Sequence, residues 1–118
     1  INDARKPEFL GNARAPLFPI SWPEPFGLVM IESMACGTPV IAFNCGSVPE
    51  IMENGLTGFV VEGVDEAVAA VKKLDTLLRP AIRSRFEERF SVGAMARDYV
   101  RIYEKLAASG EFCAVAAE

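Results

Sequence analysis

The chain has 118 residues, 51% of them hydrophobic, which is enough for the core of one domain or of part of a larger one. Its 12 Lys and Arg against 16 Asp and Glu give a net charge of -4, so we expect neither a nucleic acid nor an anionic membrane as a partner. It contains no His, which excludes an imidazole base or a His-ligated metal supplied by this chain alone.

The cysteines indicate a reducing compartment. Cys36, Cys45 and Cys113 are odd in number, and their spacing fits neither a zinc site nor a disulfide framework. We therefore expect a cytoplasmic protein in which Cys36 and Cys45 are small core residues. No apolar run is long enough to span a membrane, so no transmembrane segment is predicted. Because the first residue is Ile1 rather than Met, we expect the chain to be part of a longer one.

The first sixty residues alternate between segments with helical spacing and short apolar runs typical of strands. In chain order they are a helix over 7–13, a strand over 16–20, a helix over 26–37, a strand over 39–43, a short helix over 48–54 and a strand over 58–61. Gly37 is the candidate C-terminal cap of the second helix. A parallel crossover needs the length of a helix, so the alternation predicts βαβ units and a parallel sheet.

Three helices follow the last strand. The first covers 65–74, with acidic residues at its start and Lys72 and Lys73 at its end, as the helix dipole favours. The others cover 79–90 and 91–108, and Ser91 is a natural N-cap. The final segment has no clear pattern, so we divide the chain into a domain over 1–106 and a tail over 107–118.

The arginines of the helix over 79–90 are expected to form a solvated face, balanced by Glu87 and Glu88. These arginines are Arg79, Arg83, Arg85 and Arg89.

The predicted fold class is α/β, a partial Rossmann-like parallel sheet of about three strands with helices on both faces. So narrow a sheet leaves an edge strand uncovered. We therefore expect the remaining strands to come from elsewhere in a longer chain or from another molecule, with a homo-oligomer as one outcome.

The predicted helix over 26–37 begins at the carboxyl edge of the sheet, where open α/β sheets bind ligands. Its free amides and dipole favour an anion such as phosphate, and Gly27 permits close approach. Glu32 lies one turn beyond Leu28 in an otherwise apolar helix, and its carboxylate can accept two hydrogen bonds from a vicinal diol. A ribose next to a diphosphate would suit this pair of features, and Glu24 could meet hydroxyls at the other end of the diphosphate.

Each of these residues also has a purely structural interpretation. Glu32 could pair with an arginine of a neighbouring element, and Glu24 could be a solvated loop residue. Gly46 and Ser47 could border the pocket, although turn chemistry is the favoured explanation. Trp22 could form a wall of the site or merely pack on its loop.

The segment EPFGLVMIESMACGTPVIAFNCGSVPEIMENGLTGFVV, residues 24–61, resembles the donor-binding segment of retaining glycosyltransferase family 4. The mark of that family is two glutamates separated by seven residues, matched here by Glu24 and Glu32. The later segment RFEERFSVGAMARDYVRIYEKL is similar to the closing helices of the family. The resemblance covers nearly the whole chain except its last dozen residues.

The resemblance implies the C-terminal half of the donor domain of a GT-B enzyme, with a role for each matching residue. Glu32 would bind the ribose of a nucleotide sugar. Glu24 would contact the hydroxyls of the transferred sugar and act as the catalytic residue of this half. The diphosphate would be received by backbone amides, those of Phe26, Gly27, Leu28 and Val29.

The resemblance further implies a sugar transfer from a nucleoside diphosphate sugar, UDP-linked by expectation, to an acceptor hydroxyl without a metal or other cofactor. The 118 residues do not include the acceptor-binding N-terminal domain of the family, so we expect this chain alone to be inactive. The alternatives are a non-catalytic module that binds nucleotide sugars or serves assembly, and a phosphorylase on the same scaffold.

Overall fold

The computed structural model describes residues 2–109, so Cys113 and the predicted tail beyond Ser109 lie outside the described residues. Its elements in chain order are α1 (Lys6–Asn12), β1 (Leu17–Phe18), α2 (Leu28–Ala35), β2 (Val40–Phe43), α3 (Val48–Ile51), β3 (Gly58–Val61), α4 (Val64–Lys73), a 3-10 turn (Leu74–Thr76), α5 (Arg79–Phe90) and α6 (Val92–Ser109). These residues form two compact units that divide after Glu87. The first contains the whole sheet.

The three strands form one parallel sheet in the order β1-β2-β3. Leu17 is in register with Ile41, and Val40 is in register with Gly58. Strand β1 is shorter than the predicted range 16–20. Proline has no N–H, so Pro19 cannot extend the ladder. The predicted α/β class with a parallel sheet is confirmed.

Helices cover both faces of this sheet. On one face, Ile41 and Val61 pack with Ala70 of α4 and with Leu74, which follows it. Successive side chains of a strand point to opposite faces, so Val40, which is fully buried, belongs to the other face. Helix α2 packs on β2 there.

Helix α2 ends in a Schellman motif. The amide of Gly37 donates to the carbonyl of Met34 at 2.9 Å, and the amide of Thr38 donates to that of Ser33 at 2.9 Å. The Ser33 hydroxyl also donates to the Thr38 carbonyl at 2.9 Å. The predicted role of Gly37 as the cap is confirmed, and the chain is turned directly into β2.

Arg79 ties the beginning of α5 to the end of α1. Its guanidinium donates to the carbonyl of Gly11 at 2.7 Å, to that of Ala13, and to the Thr38 hydroxyl at 3.2 Å. The Thr38 hydroxyl itself donates to the carbonyl of Leu10 at 2.9 Å. A residue expected on a solvated face thus connects α1, α5 and the turn between α2 and β2.

Two further arginines of α5 make similar contacts. Arg83 donates to the carbonyl of Ala35 at the end of α2 and to Glu87 Oε1 at 2.8 Å. Arg85 Nε lies 2.7 Å from Glu53 Oε1. Arg79 and Arg83 are exposed and Arg83 pairs with Glu87, as predicted, whereas Arg85 is half-buried and pairs with Glu53. The additional contacts of Arg79 and Arg83 with backbone carbonyls were not predicted; helix ends leave carbonyls that long cationic side chains can reach.

We predict that Arg79→Lys lowers the free energy of unfolding by about 1–2 kcal/mol, because an ammonium cannot reproduce the planar fork that reaches several acceptors. Arg14→Lys is the matched control. Arg14 makes one exposed ion pair with Asp75 at 3.0 Å, so this change should stay within about 0.5 kcal/mol. Urea unfolding of both variants gives the comparison. Equal effects would contradict the role of Arg79.

An apolar groove of about 190 Å³ lies between the edge strand β1 and helix α4. It is lined by Leu17, Phe18, Pro19, Ile41, Phe43, Val64, Ala67, Val68 and Val71. The side chain of Leu17 is 63% exposed, and Val64 and Val68 are exposed as well. A strand edge beside an apolar surface is a template for association with further chain.

We predict that the 118-residue chain self-associates through this groove and that Leu17→Lys weakens the association, because a charge would have to be desolvated in an apolar contact. Leu78→Lys is the control, since Leu78 is 70% exposed and does not line the groove. Analytical ultracentrifugation measures both. A monomeric parent chain, or equal weakening by the two variants, would contradict the prediction.

Candidate functional site

Gly27, the residue immediately before helix α2, lies in the left-handed region, at φ 72° and ψ 51°. The residue is buried, and a Cβ there would lie 2.3 Å from Met30 Cε and 3.4 Å from Ser47 Oγ. The backbone angle therefore favours glycine, and a side chain there would also displace the end of Met30. The helix starts at Leu28, two residues later than the predicted start at Phe26. Gly27 is the N-cap, so the expectation that it lies in the first turn is wrong.

The expected anion-binding amides differ in availability. The Gly27 N–H donates to Glu24 Oε1 at 3.2 Å, so this amide is occupied by the carboxylate of the same motif. The amides of Leu28 and Val29 lie in the first helical turn, and no residue between 2 and 109 accepts a hydrogen bond from them. Phe26 lies before the helix. The first turn of α2 thus presents two unused donors with the helix dipole behind them.

The loop that carries Glu24 is joined to the loop that follows β2. The Ser47 amide donates to the Glu24 carbonyl at 2.9 Å. Gly46 has φ 57°, and a Cβ there would lie 2.5 Å from the Glu24 nitrogen. Gly46 and Ser47 thus shape the turn and also border the motif. Glu24 is half-buried and bonded to Gly27, so its interpretation as a solvated loop residue is wrong.

The sequence gives no reason to expect a special role for the hydroxyl of Ser47, but this hydroxyl is buried and lacks a hydrogen-bond partner in the described part of the chain. Within residues 2–109, Ser47 Oγ is the one buried side-chain oxygen or nitrogen without a hydrogen-bond partner. It lies beside Gly27 at the beginning of α2. Only the packing of the two loops reveals this position, because a serine before Val48-Pro49 reads in the sequence as an ordinary helix cap.

Glu32 forms an ion pair with a residue that the sequence analysis missed. Lys6 Nζ lies 2.8 Å from Glu32 Oε1 and 3.1 Å from Asp3 Oδ1. The hydrogen bond with Glu32, followed by the one with Asp3, raises the pKa of Lys6 above its usual value. The partner is a lysine of α1 and not an arginine, and no local sequence signal connects two residues 26 positions apart.

The carboxylate of Glu32 is partly exposed, although its position in an apolar helix suggested that it would be buried. The side chains of Lys6 and Glu32 are 35% and 36% exposed, so both ends of the pair reach solvent. Together with Pro7, Leu10 and Arg83, they line an open cavity of about 410 Å³. The Glu32 carboxylate is therefore available to a ligand that enters this cavity.

The described part of the chain shows neither a metal cluster nor a membrane helix. Among residues 2–109, no three His, Cys, Asp or Glu side chains are grouped so that they could bind a metal ion. No helix within the same residues is long and apolar enough to cross a membrane.

Comparison with known proteins identifies relatives of this chain, three of which follow. The chain is 29% identical over 123 residues to a phosphatidyl-myo-inositol mannosyltransferase of Mycobacterium leprae (strain TN), covering 98% of the chain and 33% of that protein. It is 37% identical over 97 residues to a D-inositol 3-phosphate glycosyltransferase of Corynebacterium jeikeium (strain K411), covering 76% of the chain and 23% of that protein. It is 35% identical over 92 residues to an N-acetyl-alpha-D-glucosaminyl L-malate synthase of Bacillus anthracis, covering 71% of the chain and 24% of that protein.

The chain spans about a third or less of the length of these curated relatives. The family model of the glycosyl transferases group 1 matches residues 1–92, which include the whole sheet and both glutamates. The chain therefore belongs to the glycosyl transferases group 1 family.

Proposed function

We propose that the chain is the donor-binding part of a retaining family 4 glycosyltransferase with the GT-B fold. Its parent enzyme would transfer a sugar from a UDP-linked donor to an acceptor hydroxyl. The observation that carries the proposal is the pair of unused amides, those of Leu28 and Val29, placed along the chain between the carboxylates of Glu24 and Glu32. An anion flanked by two polyols matches this order of groups.

The nucleoside end of the donor is assigned to Glu32. Lys6 engages Oε1 of this carboxylate, and no residue between 2 and 109 engages Oε2. Oε2 can therefore accept hydrogen bonds from the ribose hydroxyls while Lys6 keeps the side chain oriented. The approach is open because the carboxylate borders an open cavity.

The hexose end is assigned to Glu24. Its Oε1 is fixed by the Gly27 amide, which leaves Oε2 as an acceptor for a sugar hydroxyl. The fixed side chain requires little reorganisation when the sugar binds. The fixed orientation of this side chain supports the assignment of Glu24 as the residue that positions the sugar during transfer.

The chemical contribution of this half is electrostatic. When the bond from the anomeric carbon to the phosphate oxygen breaks, negative charge grows on the departing diphosphate. The amides of Leu28 and Val29, aligned with the dipole of α2, stabilise that charge without a metal ion or other cofactor. The sugar acquires positive character, and the acceptor oxygen bonds to the anomeric carbon on the face that the phosphate leaves. The departing phosphate oxygen takes the proton of that hydroxyl, and the configuration is retained.

The acceptor-binding part is proposed to come from a further region of the polypeptide or from another chain, since this chain spans only part of its relatives. We also propose a cytoplasmic location, where nucleotide sugars are available. It follows that the 118-residue chain alone transfers no sugar. Turnover by the purified chain with UDP-sugars and a panel of acceptors would contradict this division.

Substitution of the two glutamates tests the proposal. We predict that Glu32→Gln weakens binding of UDP and of a UDP-hexose about ten- to a hundredfold, because both ligands contain the ribose and lose a hydrogen bond to a charged group. Glu24→Gln should spare UDP and weaken only the UDP-hexose, by a similar factor. Titration calorimetry measures both ligands.

Glu66→Gln is the control. Glu66 belongs to α4 and not to the motif, and its carboxylate accepts a hydrogen bond of 2.9 Å from the Glu62 amide. Unchanged melting temperatures would separate a binding effect from a packing defect. If Glu24→Gln weakened the binding of UDP as much as that of the UDP-hexose, the assignment of Glu24 to the hexose would be wrong. Tighter binding of inorganic phosphate than of UDP would indicate a phosphorylase instead.

A further inference from the structure

Trp22 lies two residues before Glu24, and its side chain is directed to solvent. It is 59% exposed, so it does not merely pack on its loop. Tryptophan is normally among the most extensively covered side chains, since its indole carries a large apolar area. An exposed indole two residues from a candidate binding carboxylate therefore suggests a partner.

The backbone next to Trp22 is fixed by several contacts. The Trp22 carbonyl accepts from the Glu24 amide at 2.8 Å, and the Glu24 carbonyl accepts from the Ser47 amide at 2.9 Å. Pro23 and Pro25 restrict the backbone on both sides of Glu24. The exposed indole is thus attached to a segment with few alternative conformations, at a set position relative to Glu24.

An indole and a carboxylate together provide what a sugar ring needs. One side of a hexopyranose presents C–H groups that form a flat apolar face, and its rim presents hydroxyls. The face can lie on an aromatic ring, and the hydroxyls can donate to a carboxylate. Along the chain, Trp22 and Glu24 precede the unused amides and Glu32 follows them, so we assign Trp22 to the hexose and not to the ribose.

We propose that Trp22 is a specificity-determining residue that stacks on a hexopyranose ring whose hydroxyls bind Glu24. The inference rests on the proposed function and deepens it, because it adds selection by the shape of the sugar. A hexose with a continuous C–H face lies flat on the indole, whereas an axial hydroxyl on that face prevents the contact. The hexose is that of the donor or that of an acceptor sugar, and the experiment separates the two.

The chain contains a single tryptophan, so its fluorescence reports on Trp22 alone. We titrate the 118-residue chain with UDP, with UDP-glucose and UDP-galactose, and with methyl glucoside and methyl galactoside. A change of emission with a UDP-hexose but not with UDP supports stacking on the donor sugar. A change with a methyl hexoside alone supports stacking on an acceptor sugar. UDP-hexose binding by calorimetry, with no change of emission on addition of either a UDP-hexose or a methyl hexoside, overturns the proposal.

Variants give the second readout. Trp22→Ala should weaken calorimetric binding of the better UDP-hexose about three- to tenfold, reduce the preference between the two hexoses, and leave UDP unchanged. Trp22→Phe should restore most of the affinity. Tyr99→Ala is the control, because Tyr99 is a similarly exposed aromatic, at 55%, on α6.

The outcomes distinguish this inference from the proposed function. If UDP binds and Glu32→Gln weakens it, but Trp22→Ala changes neither UDP-hexose affinity and preference nor methyl hexoside binding, the inference on Trp22 fails and the donor site stands. If the parent chain binds neither UDP nor a UDP-hexose, the proposed function fails, and the role of Trp22 fails with it.

Discussion

The left-handed conformation of Gly27 determines how the motif is arranged. It separates the loop that bears Trp22 and Glu24 from the helix that bears Glu32. Because Gly27 ends the loop, the amides of Leu28 and Val29 begin the helix with no partner among residues 2–109, while its own amide is bonded to Glu24. A side chain at this position would meet Met30 and Ser47. The same glycine thus sets the helix start, the orientation of one carboxylate and the position of the unused donors.

The surroundings keep α2 in place through polar contacts at both its ends. The loop after β2 donates through Ser47 to Glu24, while Arg83 reaches the carbonyl of Ala35 at the other end. Lys6 of α1 bonds to Glu32 on the side of the helix. These contacts join α2 to several elements. A helix supported in this way presents its amides in a fixed direction, which favours electrostatic stabilisation of a charge that develops during reaction.

Much of the fold could be predicted from the sequence, because short apolar runs and helical spacing identify elements locally. The limits of β3 and α5 agree with the predictions, and Gly37 marked the end of α2. The start of α2 was misplaced because apolar spacing continues through Gly27, and only its backbone angle interrupts the helix. The bond from Gly27 to Glu24 spans three residues and could have been anticipated as a local cap.

Contacts distant in sequence could not be predicted. Lys6 meets Glu32 across 26 positions, and Arg79 meets Gly11 across 68, since both contacts depend on how helices pack. The glutamates of the motif were recognised by their spacing, but the availability of each amide required coordinates. The sequence therefore indicated which residues to consider for a site, while their hydrogen bonds became visible only in the structure.

The most direct measurement is a titration of the ¹⁵N-labelled chain with UDP, followed by two-dimensional NMR. If α2 receives the diphosphate, the amide signals of Leu28 and Val29 should shift most, while that of Gly55, in a turn remote in sequence from the motif, should remain in place. Shifts of the Leu28 and Val29 signals no larger than that of Gly55 at saturating UDP would contradict the account.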